Sequence, residues 1–321
     1  MDLIYTDVNR KDIGVLKDYG LDLAFGSDEN DFELVIDLNN HCCEADCLVY
    51  IEGTEYGGII DKIGVITADE KLTYHGRTWQ GIVASKVIVP SGGKSHLTVS
   101  GEANKILGDL FSKLGLDGLF VASDEDSGIQ IEKYSFDRYI NAYLGISKML
   151  ESASGKLKFS YVENKVIVSA LPAVDYTKDE QFDSDNVEMQ LEKTKNTVNH
   201  LICLGKGELT ERKVVHLYMD KNGRVGQKQS FFGLQEIVDT YDYPNAESVE
   251  ELVKDGTAKL QELASTDKVQ MDFTAEDNRY DVGDIVGAKE IITDTIVSAR
   301  ITKKIVTINQ GVVNIQYKVG E

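Results

Sequence analysis

Nowhere does the chain approach the roughly eighteen consecutive apolar residues of a membrane-spanning helix, so no transmembrane segment is expected. The N-terminus, Met1-Asp2-Leu3-Ile4-Tyr5-Thr6-Asp7, lacks a basic region followed by an apolar core, and no signal peptide is expected there. Basic charge is short: 34 lysines and arginines face 54 aspartates and glutamates, for a formal net charge of −20. A surface that negative repels phosphate backbones unless a local basic patch overcomes it, and no such patch stands out. Specific nucleic-acid binding is therefore not expected, although an acidic wall can serve nucleic acid by refusing to hold it, as a channel lining must.

Catalytic motifs are missing as well. There is no Gly-x-Ser-x-Gly elbow and no His-Glu-x-x-His, and the five histidines, His41, His75, His96, His200 and His216, are scattered without helical pairing. Carboxylates are too many for one pair to stand out as acid and base. Gly205-Lys206-Gly207 lacks the length and the Lys-Ser/Thr ending of a phosphate-binding loop and reads as a hairpin turn. Asp124-Glu125-Asp126-Ser127-Gly128 opens like a calcium loop, but Ser135 stands where the twelfth-position Glu belongs, leaving a solvated acidic turn. No catalytic and no cofactor-binding residue is assigned. The lone Trp79 and an aromatic content of 8% argue against a sugar-binding platform. Arg77 lies close enough in sequence to stack on Trp79, though packing in the core is the commoner fate of a Trp.

Cysteine is scarce, and three of the four, Cys42, Cys43 and Cys47, bunch behind His41, with Cys203 far away. Thiolates and imidazole are the ligands zinc prefers. The spacing is poor for it, because adjacent cysteines point to opposite sides of an extended chain and no second Cys-x-x-Cys or His-x3-His pair follows. Free thiols in a reducing cytoplasm fit better, and no metal site is assigned.

What the chain does have is β-pattern. At 321 residues, 42% hydrophobic and 27% charged, it has the composition of a soluble globular protein of two or three domains. Phe32, Leu34, Ile36 and Leu38 alternate with Glu33, Val35 and Asp37; Cys47 to Ile51, Tyr56 to Ile63 and Leu72 to Arg77 follow at turn-punctuated spacing. Residues 1–100 are therefore expected to form an N-terminal β-barrel-like domain. From Ser100 the period becomes helical: Ala103, Ile106, Leu107, Leu110, Phe111 and Leu114, with Ser100 as cap and Gly115 at the end, then a second helix from Phe136 to Leu150. Leu157, Phe159 and Tyr161 face Val166 and Val168 across Glu163-Asn164 as a hairpin. Residues 101–185 are expected to be an α+β insert with a polar connector from Pro172.

Val187, Met189 and Leu191, then Val198 to Leu204, open a second β unit. Ser248-Val249-Glu250-Glu251 is a capping box before one helix. The last fifty residues form a meander: Val269, Met271 and Phe273; the turn at Asp281-Val282-Gly283-Asp284; a long run from Ile291 and Ile292 through Ile308; then a return after Asn309-Gln310-Gly311. The expected fold is α+β and mainly β, with two antiparallel β-barrel-like domains, residues 1–100 and 186–321, flanking the insert. Barrels remove edges that would aggregate, and any edge left open is a docking surface.

With these segments located, the chain resembles the baseplate hub and tail-associated proteins of phage tails and contractile bacteriocin (tailocin) particles. The similar stretches are Gly58 to Ile63 followed by Tyr74-His75-Gly76-Arg77 to Ile88, with Lys86 where the family more usually has Arg; Asn199 to Glu208 with Arg212; and Val282 to Val286 with Ala299-Arg300-Ile301-Thr302. What the resemblance implies is a structural protein of a virion or bacteriocin particle, made in the bacterial cytoplasm and not an enzyme. Such hubs are homotrimers whose two barrels per chain give a pseudo-sixfold ring that meets the tail tube protein on one side and the spike or other baseplate proteins on the other. The alternatives carried beside it are a tail-associated cell-wall hydrolase and a β-rich adhesin or carbohydrate-binding module.

Overall fold

The computed structural model describes residues 1–90, 92–177, 181–183, 189–192, 197–244, 246, 248–264, 268–275, 278–291 and 295–320. Parts of the expected connector, Val187 and Ile292 lie outside the described residues. The strands and helices begin with β1 (Leu3–Thr6), β2 (Asp12–Leu16), β3 (Gly20–Gly26), β4 (Asp31–Asp37), β5 (Leu48–Tyr50), β6 (Gly57–Ile66), β7 (Lys71–Thr78) and α1 (Trp79–Ala84). There follow β8 (Val87–Ile88), β9 (Thr98–Glu102), α2 (Ala103–Lys113), β10 (Phe120–Ala122), β11 (Gln130–Ser135), β12 (Ile140–Asn141), α3 (Ala142–Glu151), β13 (Gly155–Val162) and β14 (Lys165–Pro172). After β15 (Gln181–Asp183) and β16 (Met189–Glu192) come β17 (His200–Leu204), β18 (Val214–Met219), β19 (Val225–Gly226), β20 (Val238–Asp242) and α4 (Val249–Ala264). The chain closes with β21 (Lys268–Ala275), β22 (Ile285–Glu290), β23 (Thr295–Asn309) and β24 (Val312–Val319).

The architecture is α+β and mainly β, but the barrels are absent among the described residues. One large sheet runs in the order β21, β24, β23, β3, β4, β7, β6, β5, β1, β2, so the two ends of the chain share it. The join is β23 against β3, antiparallel from Lys303↔Gly26 to Asn309↔Gly20. Alternation in a strand specifies which face is buried and leaves its neighbour open; here the terminal meander pairs with the first strands instead of curling on itself. The chain packs as two compact units, Met1–Met189 with Val269–Glu321, and Gln190–Lys268.

Within the larger unit the α+β portion does form. β10 lies parallel to β14, which pairs antiparallel with β13. Glu163 and Asn164 at the hairpin tip both take positive φ, 50° and 64°, as a type I′ turn requires. The helices α2 and α3 cover this sheet with Leu107, Phe111, Ile146 and Leu150, and the same core takes in Tyr50 and Trp79 from the large sheet's side. Trp79 stacks on Tyr161 of β13 at 5.4 Å, so core packing, not Arg77, is its fate. Each ring buried in this way contributes about 2–3 kcal/mol of transfer free energy.

Helix ends differ from the sequence reading. The α2 cap is Glu102, not Ser100: its carboxylate accepts from the Asn104 and Lys105 amides at 3.0 and 2.9 Å, and Ser127 also donates to it. Burial pushes the Glu102 carboxyl up, but the Ser127 hydroxyl and these amides outweigh it and bring it down to about 2. Because the folded value lies below the ordinary 4.5, the stability this group contributes is full above pH 4.5 and is lost as pH falls through about 2. Acid titration of unfolding is therefore expected to show a shallower loss of stability between those values in Glu102→Gln than in the parent; equal slopes would contradict it. The second helix starts at Ala142, capped by Asn141, because Tyr139 turns the chain with φ 57°.

The smaller unit is a four-stranded sheet, β19, β18, β17, β20, with β20 parallel to β17. Leu252 and Leu260 of α4 pack on Leu201, Cys203 and Leu217. Ser248 Oγ accepts from the Glu251 amide at 3.0 Å, as the capping box predicts. Gly205 to Gly207 lies in the loop joining β17 to antiparallel β18.

Candidate assembly surfaces and a buried charge junction

The most concentrated chemistry in the larger unit is a set of buried charges where the α+β portion meets the terminal strands. Lys156 and Lys158 come from one face of β13, Lys304 from β23, Glu55 from the turn before β6, and Asp281 and Asp284 from the turn before β22. Lys156 Nζ lies 2.9 Å from Asp281 Oδ2 and 2.9 Å from both oxygens of Asp284, whose side chain is wholly buried. Asp284 also accepts from the Val174 amide at 2.8 Å and the Asp281 amide at 2.9 Å. Lys158 donates to Asp281 and lies 3.5 Å from Glu55. Lys304, 1% exposed, donates to Glu55 at 2.6 Å and to Asn278, and sits over the rings of Tyr56 and Tyr317 at 5.7 and 5.9 Å.

Every cation has a facing carboxylate, and the most buried of these, Asp284, also accepts from two amides, the condition under which buried charge is tolerated. Burial pushes the Asp281 carboxyl up, but Lys158 and Lys156 outweigh it and hold it below its ordinary value. Burial pushes Lys156 and Lys158 down, and their carboxylates outweigh that and raise both. Chemically the junction is a structural weld. All its members are engaged with one another, so none is poised to act on a substrate.

A second concentration of charge is open to solvent. Asp22, Glu29, Asp31 and Glu33 line a cleft of about 600 Å³ on the large sheet, with Asp61 and His75 beside them. Burial, then the neighbouring carboxylates, raise Asp22 and Asp31 above the usual range. Arg77 pairs there with Asp61, at 2.7 and 2.8 Å from two guanidinium nitrogens, and Glu29 with Lys303. This surface offers phosphates no net attraction.

Apolar exposure gathers at edges and tips. β2 ends the strand order with Ile13 55% and Val15 46% exposed, on the same face of an edge that pairs with no further strand among the described residues. Val65 and Ile66 project at the β6–β7 tip, and in the smaller unit Phe232, Leu234 and Leu209 are largely uncovered. Edges of this kind invite pairing with another chain.

The sequence-singled residues distribute as follows. His41 Nδ1 lies 2.9 Å from Tyr74 Oη. Cys42 and Cys43 touch, with Sγ atoms 3.4 Å apart, against the expectation that neighbours point apart. Cys47 and Cys203 are buried, and among the described residues no group of three or more His, Cys, Asp or Glu is placed to hold a metal. Asp126 Oδ1 accepts from the Gly128 amide at 2.9 Å and Ser127 from Ile129 at 3.1 Å, which spends that loop on its own turn. His200 Nδ1 lies 2.7 Å from Glu236 and its Nε2 2.9 Å from His216 Nδ1, a row the sequence did not reveal because Glu236 arrives from a distant loop. Among the described residues, no helix is long and apolar enough to cross a membrane.

The Cys42 thiol is shifted down, first by its hydrogen bond with Cys43, whereas burial pushes Cys203 up to about 11. Since the thiolate is the nucleophile, Cys42 is expected to alkylate at least ~10 times faster than Cys203 at neutral pH, read by peptide mass after timed iodoacetamide. Equal rates would contradict the assignment.

No protein-family model and no curated protein matches the chain. Solved structures do. A tail protein from Neisseria meningitidis MC58 aligns at 12% identity with a TM-score of 0.54, covering 100% of this chain and 96% of that one. The prophage MuSo2 43 kDa tail protein from Shewanella oneidensis aligns at 12% identity and TM-score 0.56, covering 99% and 98%. Prophage tail protein gp18 from Listeria monocytogenes EGD-e gives 12% and 0.56, covering 99% and 94%. The resemblance read in the sequence is thus met at the level of fold, and the fold of this chain is, end to end, that of phage tail proteins.

Proposed function

We propose that the chain is a structural baseplate hub protein of a phage or phage-derived tail, assembling as a homotrimer that joins the tail tube to the spike or distal components. The observation that carries this reading is the match of fold over the full length of both partners, with no large piece of either left over. Because the first and last strands form one sheet, the reading does not rest on two equal barrels alternating around a ring. The threefold assembly is proposed instead on the open β2 edge with Ile13 and Val15, which a second subunit can extend. The −20 charge and the acidic cleft on the large sheet support a surface that nucleic acid passes without binding.

The reading is non-catalytic: the buried charges are engaged with one another. Purified chain is expected to leave a cell-wall zymogram blank, to give a solution mass of three chains, and to sit between tube and spike in electron micrographs of the particle. A monodisperse monomer that binds neither tube nor spike protein would overturn it.

A further inference from the structure

We propose that Cys42 and Cys43 are a reversible redox pair that closes to a vicinal disulfide when the chain meets a small-molecule disulfide. The pair lies in the loop between the short helical turn Leu38–Asn40 and β5, outside every surface used above, and the inference is independent of what the chain assembles into.

The geometry begins with Tyr74, a buried residue of β7. Its hydroxyl accepts from the backbone amides of both Cys42 and Cys43, each at 3.2 Å. Successive amides of an extended strand point opposite ways, so two consecutive N–H groups on one oxygen mean that the chain is curled here. Curling turns both side chains to one side and brings the sulfurs to 3.4 Å. Cys43 is buried and Cys42 half-buried, so a reagent reaches Cys42 first. The contact between the sulfurs divides the work: it shifts the Cys42 thiol down and the Cys43 thiol up, which favours thiolate on Cys42 and keeps Cys43 protonated.

The step balances. The Cys42 thiolate attacks one sulfur of the small disulfide, breaking its S–S bond and releasing one small thiolate, which leaves a mixed disulfide on Cys42. Cys43 then loses its proton to water, and its sulfur attacks the Cys42 sulfur, expelling the second small thiolate. Two protein thiols are oxidised and one small disulfide is reduced to two thiols.

Reversal follows from covalent geometry. Adjacent Cα atoms are about 3.8 Å apart across a trans peptide, closer than the roughly 4.4–6.8 Å of ordinary disulfides, so the closed ring is strained and excess thiol reopens it. Closing the ring also rotates the peptide that holds the Cys43 amide on Tyr74.

The test is intact mass and peptide mapping of the full chain. It is incubated with oxidised glutathione, denatured, and alkylated with iodoacetamide. The expected product has two alkylated thiols, no glutathione, a mass two hydrogens lower before alkylation, and a Cys42–Cys43 link that dithiothreitol removes. Cys43→Ser is expected to trap one glutathione on Cys42, Cys42→Ser to trap none, and Cys203→Ser to behave as the parent. Four alkylated thiols, a stable glutathione adduct on the parent, or a link to Cys47 would each overturn the proposal.

Discussion

Asp284→Ala is expected to destabilise the larger unit by about 3–5 kcal/mol, the cost of removing one carboxylate from a buried ion network. For a unit of this size that is a fall in melting temperature of about 10 °C. The reason is positional. Asp284 is wholly buried and receives Lys156 on both oxygens together with the amides of Val174 and Asp281, so its loss leaves a buried lysine with Asp281 as its one remaining carboxylate and takes the acceptor from two amides. An exposed pair serves as comparison: Lys259 with Glu262 on α4 is an i, i+3 bridge, and Glu262→Ala is expected to change stability by less than about 0.5 kcal/mol. Calorimetry that found the two substitutions equivalent would show that the junction does not weld this unit.

The pH dependence of the junction has a definite sign. Asp281 titrates below its ordinary 3.8 in the folded chain, so the stability it contributes is present above that value and is lost as pH falls through the lower folded one. Lys156 and Lys158 titrate above their ordinary 10.5, so their share is present below 10.5 and is lost as pH rises through the higher folded values. Between those limits the cost of Asp284→Ala is expected to be flat.

How much of this could be read from residues alone varies with the range of the interaction. The hairpin at Glu163-Asn164 and the return at Gln310-Gly311 were legible because turn chemistry is local, and both sites show the positive φ that the pattern predicts. The span of α4 was legible for the same reason. What joins residues 20–26 to 303–309 was not, since a period-two pattern names a face and never a partner. The chain's ends therefore read as two barrels and fold as one sheet.

The junction was missed although one of its members carried a signal. Lys304 has the parity of Val306 and Ile308, both fully buried, so the pattern already placed a lysine on the core face of β23. A cation at such a position demands a carboxylate from elsewhere. The run Asp281-Val282-Gly283-Asp284 held it but read as a turn, which it also is: Asp284 N donates to Asp281 O at 3.1 Å. The thiol pair was misread for a different reason. The rule that neighbours diverge holds for extended chain, and the Tyr74 hydroxyl that curls this loop lies on a strand thirty-odd residues away.

Gly76→Ala is expected to be the most damaging change that adds a single carbon. Gly76 lies in the middle of β7, between β4 and β6, opposite Phe32 on one side and Ile60 on the other. A Cβ there would stand 1.9 Å from the Ile59 carbonyl oxygen and 2.7 Å from Phe32 Cε1. The Phe32 ring approaches Gly58 equally closely, with 2.9 Å to a Cβ at that position, so the two glycines leave room for one aromatic ring over the sheet. Overpacking costs about 1–3 kcal/mol where side chains can yield and more where backbone must, and here the nearest atom is backbone in a paired strand. A loss of about 4 kcal/mol or non-folding is the expected result. Gly115→Ala isolates the other way a glycine is needed, since Gly115 has φ +70° at the end of α2 with nothing within 4 Å, and strain alone costs about 1 kcal/mol. Trp79 makes the comparison readable: it is the sole tryptophan, fully buried in the unit that holds both glycines, so its fluorescence follows denaturant unfolding of that unit. A Gly76→Ala midpoint at or above that of Gly115→Ala would mean that the sheet has slack at its centre, and the close approach of Phe32 would no longer explain why glycine stands there.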